Sequence, residues 1–193
     1  MWPNSLAVYC GASASGPPAH AAAARSLGRL LADEGVTLVY GGAKSGLMGQ
    51  ISDATLAAGG SVCGVIPDFL DAVERTHEGV SELVRVDSMH ARKRVMTERA
   101  DAFCILPGGI GTLDEVFEAI TWGQLGLHAK PLVFLDCDGY WDPLYRLLLS
   151  MGEAGYLRVA PKAIFQSVSQ PEEVLPALRA RRAEPSASHL ERS

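Results

Sequence analysis

The sequence predicts a doubly wound, Rossmann-like α/β sandwich: a single domain with a mainly parallel central sheet flanked by helices. Short runs rich in Val, Ile and Leu alternate along the chain with longer stretches of helical period. Strands that are apolar on both faces belong in a parallel sheet covered on both sides. Turn segments follow the strand-like runs at Gly11, at Gly41-Gly42, at Pro67 and at Pro107. In this architecture ligands bind outside the carboxyl ends of the strands, near the point where strand order reverses.

Taken in order, the apolar runs predict strands over 6–10, 36–40, 61–66, 83–86, 102–106 and 132–135, with a last extended piece over 163–168. The amphipathic stretches between them predict helices over 19–33, 47–58, 88–100, 112–125 and 142–154, and a final one over 171–182. The domain is read as residues 1–182. Residues 183–193, with Pro185 and small polar residues, read as a disordered tail. Arg179, Arg181 and Arg182 just before it read as solvated surface charge.

With 193 residues the chain can bury a core without disulfides or metals, and 48% hydrophobic with 20% charged residues is a globular balance. A formal charge of −5 argues against a general nucleic-acid binder, though not against a small anionic ligand. Cys10, Cys63, Cys104 and Cys137 form no C-x-x-C pair and each sits in or at the end of an apolar run, as reduced core cysteines do. No secretory leader pattern and no run of 18 apolar residues is present, so the expectation is a soluble cytoplasmic protein without a membrane partner. The five histidines are scattered, with no H-x-x-x-H, which speaks against a metal site.

The segment from Pro107 to Glu115, Pro-Gly-Gly-Ile-Gly-Thr-Leu-Asp-Glu, joins a strand to a helix start. Such a turn lets backbone approach a ligand and offers free N–H groups and a helix dipole to an anion. It is not a P-loop, since no G-x-x-x-x-G-K-[ST] is present. Against the dinucleotide fingerprint it has Gly109 and Gly111 but Asp114 where the third glycine belongs. Thr112 to Glu115 also matches a T-x-x-E capping box, a purely structural role for Glu115.

A second constellation opens another helix: Met89-His90-Ala91-Arg92-Lys93-Arg94-Val95-Met96. Met89, Arg92 and Met96 share one face, so apolar packing aims Arg92 inward. An inward arginine needs a partner, and Glu115 with a glycine loop and an anionic substrate would supply it. A surface ion pair is the plainer alternative. His90 reads as a base or as a cap residue.

These two segments resemble the LONELY GUY family of cytokinin riboside 5′-monophosphate phosphoribohydrolases, long mislabelled as lysine decarboxylases. The P-G-G-x-G-T-x-x-E motif is complete from Pro107 to Glu115 and M-H-x-R-K-x-x-M from Met89 to Met96. Gly41-Gly42 with Gly46-Leu47-Met48-Gly49, and the stretch from Thr121 to Pro131, are similar to the family as well. Ala12 departs from the pattern, where many members have Ser.

The resemblance implies hydrolysis of the N-glycosidic bond of an adenine-type nucleotide monophosphate, giving free base and ribose 5-phosphate, without a cofactor. It makes Arg92 and Glu115 the catalytic pair, and Lys93, Gly108, Gly109, Ile110, Gly111, Thr112, Leu113, Asp114, Thr121 and Glu74 the substrate-binding set. A homodimer is implied, with 122–127 as a candidate surface. Glycosidic cleavage passes through an oxocarbenium-like transition state, for which an ionised Glu115 suits; a helix start and Arg92 both favour its charged form. Asp114 and Arg92 are candidates to help protonate the leaving base. Two rivals stand beside this reading: a non-catalytic nucleotide carrier or sensor, and a pyridoxal-phosphate decarboxylase using Lys44, Lys93 or Lys130 for its Schiff base.

Overall fold

The computed structural model describes residues 2–71, 75–157, 164 and 166–183. Seven strands form one parallel sheet: β1 (Ser5–Tyr9), β2 (Thr37–Tyr40), β3 (Val62–Pro67), β4 (Glu82–Val86), β5 (Ala102–Ile105), β6 (Leu132–Leu135) and β7 (Gln166–Val168), in the order β4-β3-β2-β1-β5-β6-β7. The helices are α1 (Pro18–Asp33), α2 (Gly46–Ala57), α3 (Met89–Arg99), α4 (Ile110–Gln124), α5 (Asp142–Glu153) and α6 (Val174–Ala183).

Alternation along β1 divides the core in two. Leu6, Val8 and Cys10 point to the side of α1, α2 and α6, where Leu27, Leu31, Ile51, Leu175 and Leu178 are buried. Ala7 and Tyr9 point to the side of α3, α4 and α5, with Met96, Phe103, Val116, Phe134 and Leu148. Both faces of the five inner strands are therefore dry, which accounts for their continuous apolar runs, while the edge strands β4 and β7 stay partly exposed. All four cysteines are buried and free.

The expected elements are present with ends displaced by a residue or two, apart from the final stretch. There Pro171–Glu173 forms a short 3-10 turn, closed by a reciprocal Gln170–Glu173 capping box, before α6 begins. Of the expected 163–168 piece, 166–168 form β7 while residues 163 and 165 lie outside the described residues, as does the tail after Ala183. Of the terminal arginines read as solvated charge, Arg182 is exposed, whereas Arg179 is half-buried and that part of the reading is corrected. Arg179 Nε donates to Trp2 O (3.0 Å) and its Nη2 to Glu34 (2.7 Å), while the Arg182 guanidinium lies 4.6 Å from the Trp2 ring centroid, so α6 clasps the start of the chain.

Helix α1 lies on the backbone of α2 because Gly28 has no side chain: a Cβ there would stand 2.6 Å from Ile51 O and 3.0 Å from Thr55 Oγ1. Gly28→Ala should therefore lower the unfolding free energy by about 1–3 kcal/mol through overpacking, measured by urea denaturation. An unchanged midpoint would contradict so close a contact.

Candidate active site

Strand order reverses at β1, whose neighbours are β2 and β5. The loops leaving β1 and β5 meet there. Gly11 N donates to Pro107 O (3.0 Å). A Cβ on Gly108 would stand 2.1 Å from Thr112 Oγ1 and 2.9 Å from Gly11 N, so Gly108 is required by the close approach of two backbones and a hydroxyl.

Gly109 and Gly111 are of another kind. Neither has a left-handed backbone, and a Cβ on either would meet nothing within 4 Å. Glycine in a helix costs about 0.5–1 kcal/mol relative to Ala, and no packing inside the chain accounts for it at Gly111. Both leave open space in front of the amides of the first turn of α4. Gly109 is the N-cap residue and supplies no side-chain cap, so the N–H groups at the helix start keep their need for acceptors.

The capping-box reading is overturned by this register. Thr112 is the third residue of α4 and buried, and Glu115 lies a turn deeper, 8% exposed. A box would need Thr112 at the N-cap. The dipole, which acts within the first turn, accordingly favours a charged Glu115 less than its expected position implied.

Arg92 is aimed inward, as the spacing predicts. Ser88, not His90, caps α3, its hydroxyl accepting from Ala91 N (3.2 Å), and His90 is exposed. That register puts Arg92, Lys93 and Met96 on the buried face. Arg92 is 3% exposed, and its Nη2 donates to the carbonyl of Gly41 at 2.7 Å. A Cβ on Gly41 would lie 2.0 Å from that nitrogen. The turn after β2 thus has glycine where the guanidinium lies against main chain.

That turn is clamped from the far side. His77 N donates to Gly42 O (2.9 Å) and Lys44 N to Arg75 O (2.9 Å), with Arg75 in a left-handed conformation at φ 50°. The His77 ring is buried; its Nδ1 accepts from Gly79 N (3.2 Å), which leaves Nε2–H to donate to Asp53 Oδ1 (2.9 Å). Sequence inspection passes over His77, because its partners are 24 and 35 residues away.

Glu115 and Arg92 converge on the end of β1. Burial raises the Tyr9 hydroxyl and the Cys10 thiol far above their ordinary values; Glu115 pushes both further up and Arg92 pulls both down. Opposite charges from α3 and α4 therefore both reach the carboxyl end of one strand.

Lys93 turns to α4 instead. Its ammonium bonds both Asp114 oxygens (3.2 and 3.0 Å) and Glu118 Oε2 (2.8 Å). Burial works against its charge, but the hydrogen bonds to Glu118 and Asp114 outweigh it, and the group sits above its ordinary value. Lys130, at the amino end of β6, donates to Thr97 O in the last turn of α3 (2.5 Å), across the sheet from the glycine loops. Lys44 is exposed after β2. Ile110 is 81% exposed and Leu113 half-buried. Thr121 is exposed nine residues beyond Thr112, about 14 Å along the helix axis at 1.5 Å per residue, so it is not brought to the loop within this chain. Glu74 lies outside the described residues. Among the described residues no group of three or more His, Cys, Asp or Glu is gathered for a metal ion, and no helix is long and apolar enough to cross a membrane.

A contact that sequence inspection misses is Tyr140, whose hydroxyl donates to Gly108 O at 2.6 Å. The signal that could have found it is the Asp138-Gly139 turn just after β6, at the same end of the sheet as the other loops.

Residues 48–178 match the family described as possible lysine decarboxylase. A cytokinin riboside 5′-monophosphate phosphoribohydrolase of Rhodococcoides fascians is 43% identical over 83% of this chain and 82% of its own. Arabidopsis thaliana LOG7, named for the same activity, is 41% identical over 88% of this chain and 78% of its own. Among solved structures, the molybdenum cofactor carrier protein of Chlamydomonas reinhardtii superposes with a TM-score of 0.71 at 20% identity, covering 93% of this chain and 98% of that one. At that identity the likeness is one of fold.

The Lys93 cluster has a pH signature. A folded value above the ordinary 10.5 gives stability that is in place below that pH and lost as pH rises through the higher folded value. The difference in unfolding free energy between the natural chain and Lys93→Met should be flat from neutrality to pH 10.5 and shrink above it. Urea melts across that range check this, and a difference that widens with rising pH would contradict it.

Proposed function

The chain belongs to the LONELY GUY family of cytokinin riboside 5′-monophosphate phosphoribohydrolases, and on that premise we propose that it hydrolyses the N-glycosidic bond of cytokinin riboside 5′-monophosphates, and of AMP, to free base and ribose 5-phosphate. The observation that carries the reading is the buried Arg92 and Glu115 at the end of β1 beside a helix start opened by Gly109 and Gly111.

In this reading the 5′-phosphate sits on the Gly109 to Thr112 amides with the Thr112 hydroxyl, and the partial positive charge of the α4 terminus holds it. Anchoring the phosphate converts remote binding energy into orientation of the ribose. The bond from C1′ to the base nitrogen breaks, the sugar develops oxocarbenium character, and the Glu115 carboxylate stabilises it, attacks it or aligns the water that adds at C1′. The base leaves with a proton. Arg92, fixed on Gly41 O, keeps the opposite charge beside Glu115. Lys93 pairs with Asp114 and Glu118, which offsets part of the negative charge that Asp114 would otherwise press against the phosphate.

The lysines speak against a Schiff-base decarboxylase. Lys93 is held protonated by two carboxylates, and Lys130, although burial lowers its value, lies at the amino end of the sheet. The same proposal carries a cytoplasmic homodimer: free buried cysteines suit a reducing compartment, and the end of α4, with Thr121 and the 63% and 68% exposed Leu125 and Leu127, is the face assigned to the contact. Glu74 and Thr121 complete the substrate set in this proposal.

Incubation with AMP and with isopentenyladenosine monophosphate, followed by chromatography, should show free base and ribose 5-phosphate. Glu115→Gln should fold and lose about 10²–10³-fold in base release, and adenosine should be turned over far more slowly than AMP. Full activity of the Gln variant would exclude Glu115 as catalyst. Tight AMP binding by the natural chain without base release would favour a carrier.

A further inference from the structure

The turn after β6 returns the chain toward the glycine loop through two consecutive left-handed residues, Asp138 (φ 56°) and Gly139 (φ 72°). A non-glycine residue there is uncommon. The turn is fixed by Tyr140 N donating to Cys137 O (3.1 Å) and Trp141 N donating to Asp136 Oδ1 (3.1 Å). It delivers Tyr140, whose ring is held edge-on by buried His20 (centroids 5.3 Å, 80°) and by Trp141 (4.9 Å, 85°). The ring is thereby fixed with its hydroxyl 2.6 Å from the Gly108 carbonyl oxygen.

In a trans peptide the C=O and N–H of one unit point in opposite directions. A Gly108 carbonyl directed at Tyr140 therefore directs the Gly109 N–H away from it, at a residue where even a Cβ would meet nothing within 4 Å. A hydroxyl donating to that carbonyl also polarises the peptide and strengthens its N–H as a donor. We propose that Tyr140 is a positioning residue for the phosphate of the substrate, setting the Gly108–Gly109 peptide so that its N–H faces the anion. This rests on the phosphate cradle assigned to the Gly109 to Thr112 amides above. Tyr140 acts through the peptide and does not itself touch the reacting atoms.

Tyr140→Phe removes the hydroxyl and keeps the ring packing. The test compares ribose 5-phosphate binding by calorimetry, the kcat and KM for AMP, adenine binding and the thermal midpoint. Losing one hydrogen bond should weaken ribose 5-phosphate about three- to tenfold and lower kcat/KM for AMP by a like factor, while adenine affinity holds. Tyr140→Leu should show the same loss of phosphate affinity together with a lower midpoint. A hydrogen bond that only stitches two loops would lower the midpoint in the Phe variant and leave ribose 5-phosphate affinity unchanged, which would overturn the proposal. Failure of the natural chain to bind ribose 5-phosphate would overturn it together with the cradle. If the natural chain binds ribose 5-phosphate yet releases no base, the hydrolase reading falls, and the ratio of affinities between the natural chain and Tyr140→Phe still decides the role of Tyr140.

Discussion

A guanidinium buried against main chain sets the terms for the rest of this site. Removing an arginine from water costs several kcal/mol unless its donors are met, and Arg92 meets that cost partly on the Gly41 carbonyl. The contact needs three things at once: α3 starting at Met89 so that Arg92 faces inward, β2 ending so that the Gly41 carbonyl points at α3, and no side chain at Gly41. The clamp of Arg75 and His77 on the loop keeps that carbonyl in place. Glu115 from α4 then adds negative charge at the same strand end, so two helices on one face of the parallel sheet are brought to one point.

The glycines of the site divide by what surrounds them. Gly41 and Gly108 are small because protein atoms occupy the space a Cβ would need. Gly109 and Gly111 are small with nothing of the protein there. The first pair builds the walls and the second leaves the opening, and an anion at the α4 terminus is the occupant that the free amides and the dipole favour. Asp114, in the same turn, would oppose it were its charge not met by Lys93.

The inner strands of the sheet were legible because each is buried on both faces and so reads as an unbroken apolar run, and the inward face of α3 was legible because Met89, Arg92 and Met96 keep helical spacing. The start of α4 was not. Gly109 to Gly111 reads as loop by composition, yet the helix begins at Ile110, and those two residues of displacement convert Glu115 from a cap into a buried second-turn carboxylate. Lys93 could be seen as cationic, but not as already paired with two carboxylates, since Asp114 and Glu118 stand on a different helix. His77, Tyr140 and the clasp of Arg179 and Arg182 on Trp2 depend on partners brought together only by the fold, and no local pattern announces them.

The most direct test of this arrangement is Gly41→Ala, assayed for release of free base from isopentenyladenosine monophosphate. The backbone at Gly41 is not left-handed, so alanine is conformationally allowed, and its Cβ would fall 2.0 Å from Arg92 Nη2. A folded, monodisperse variant whose base release has dropped by about two orders of magnitude or more is the expected result. Turnover equal to that of the natural chain would show that the Arg92 contact with Gly41 is not what organises the site.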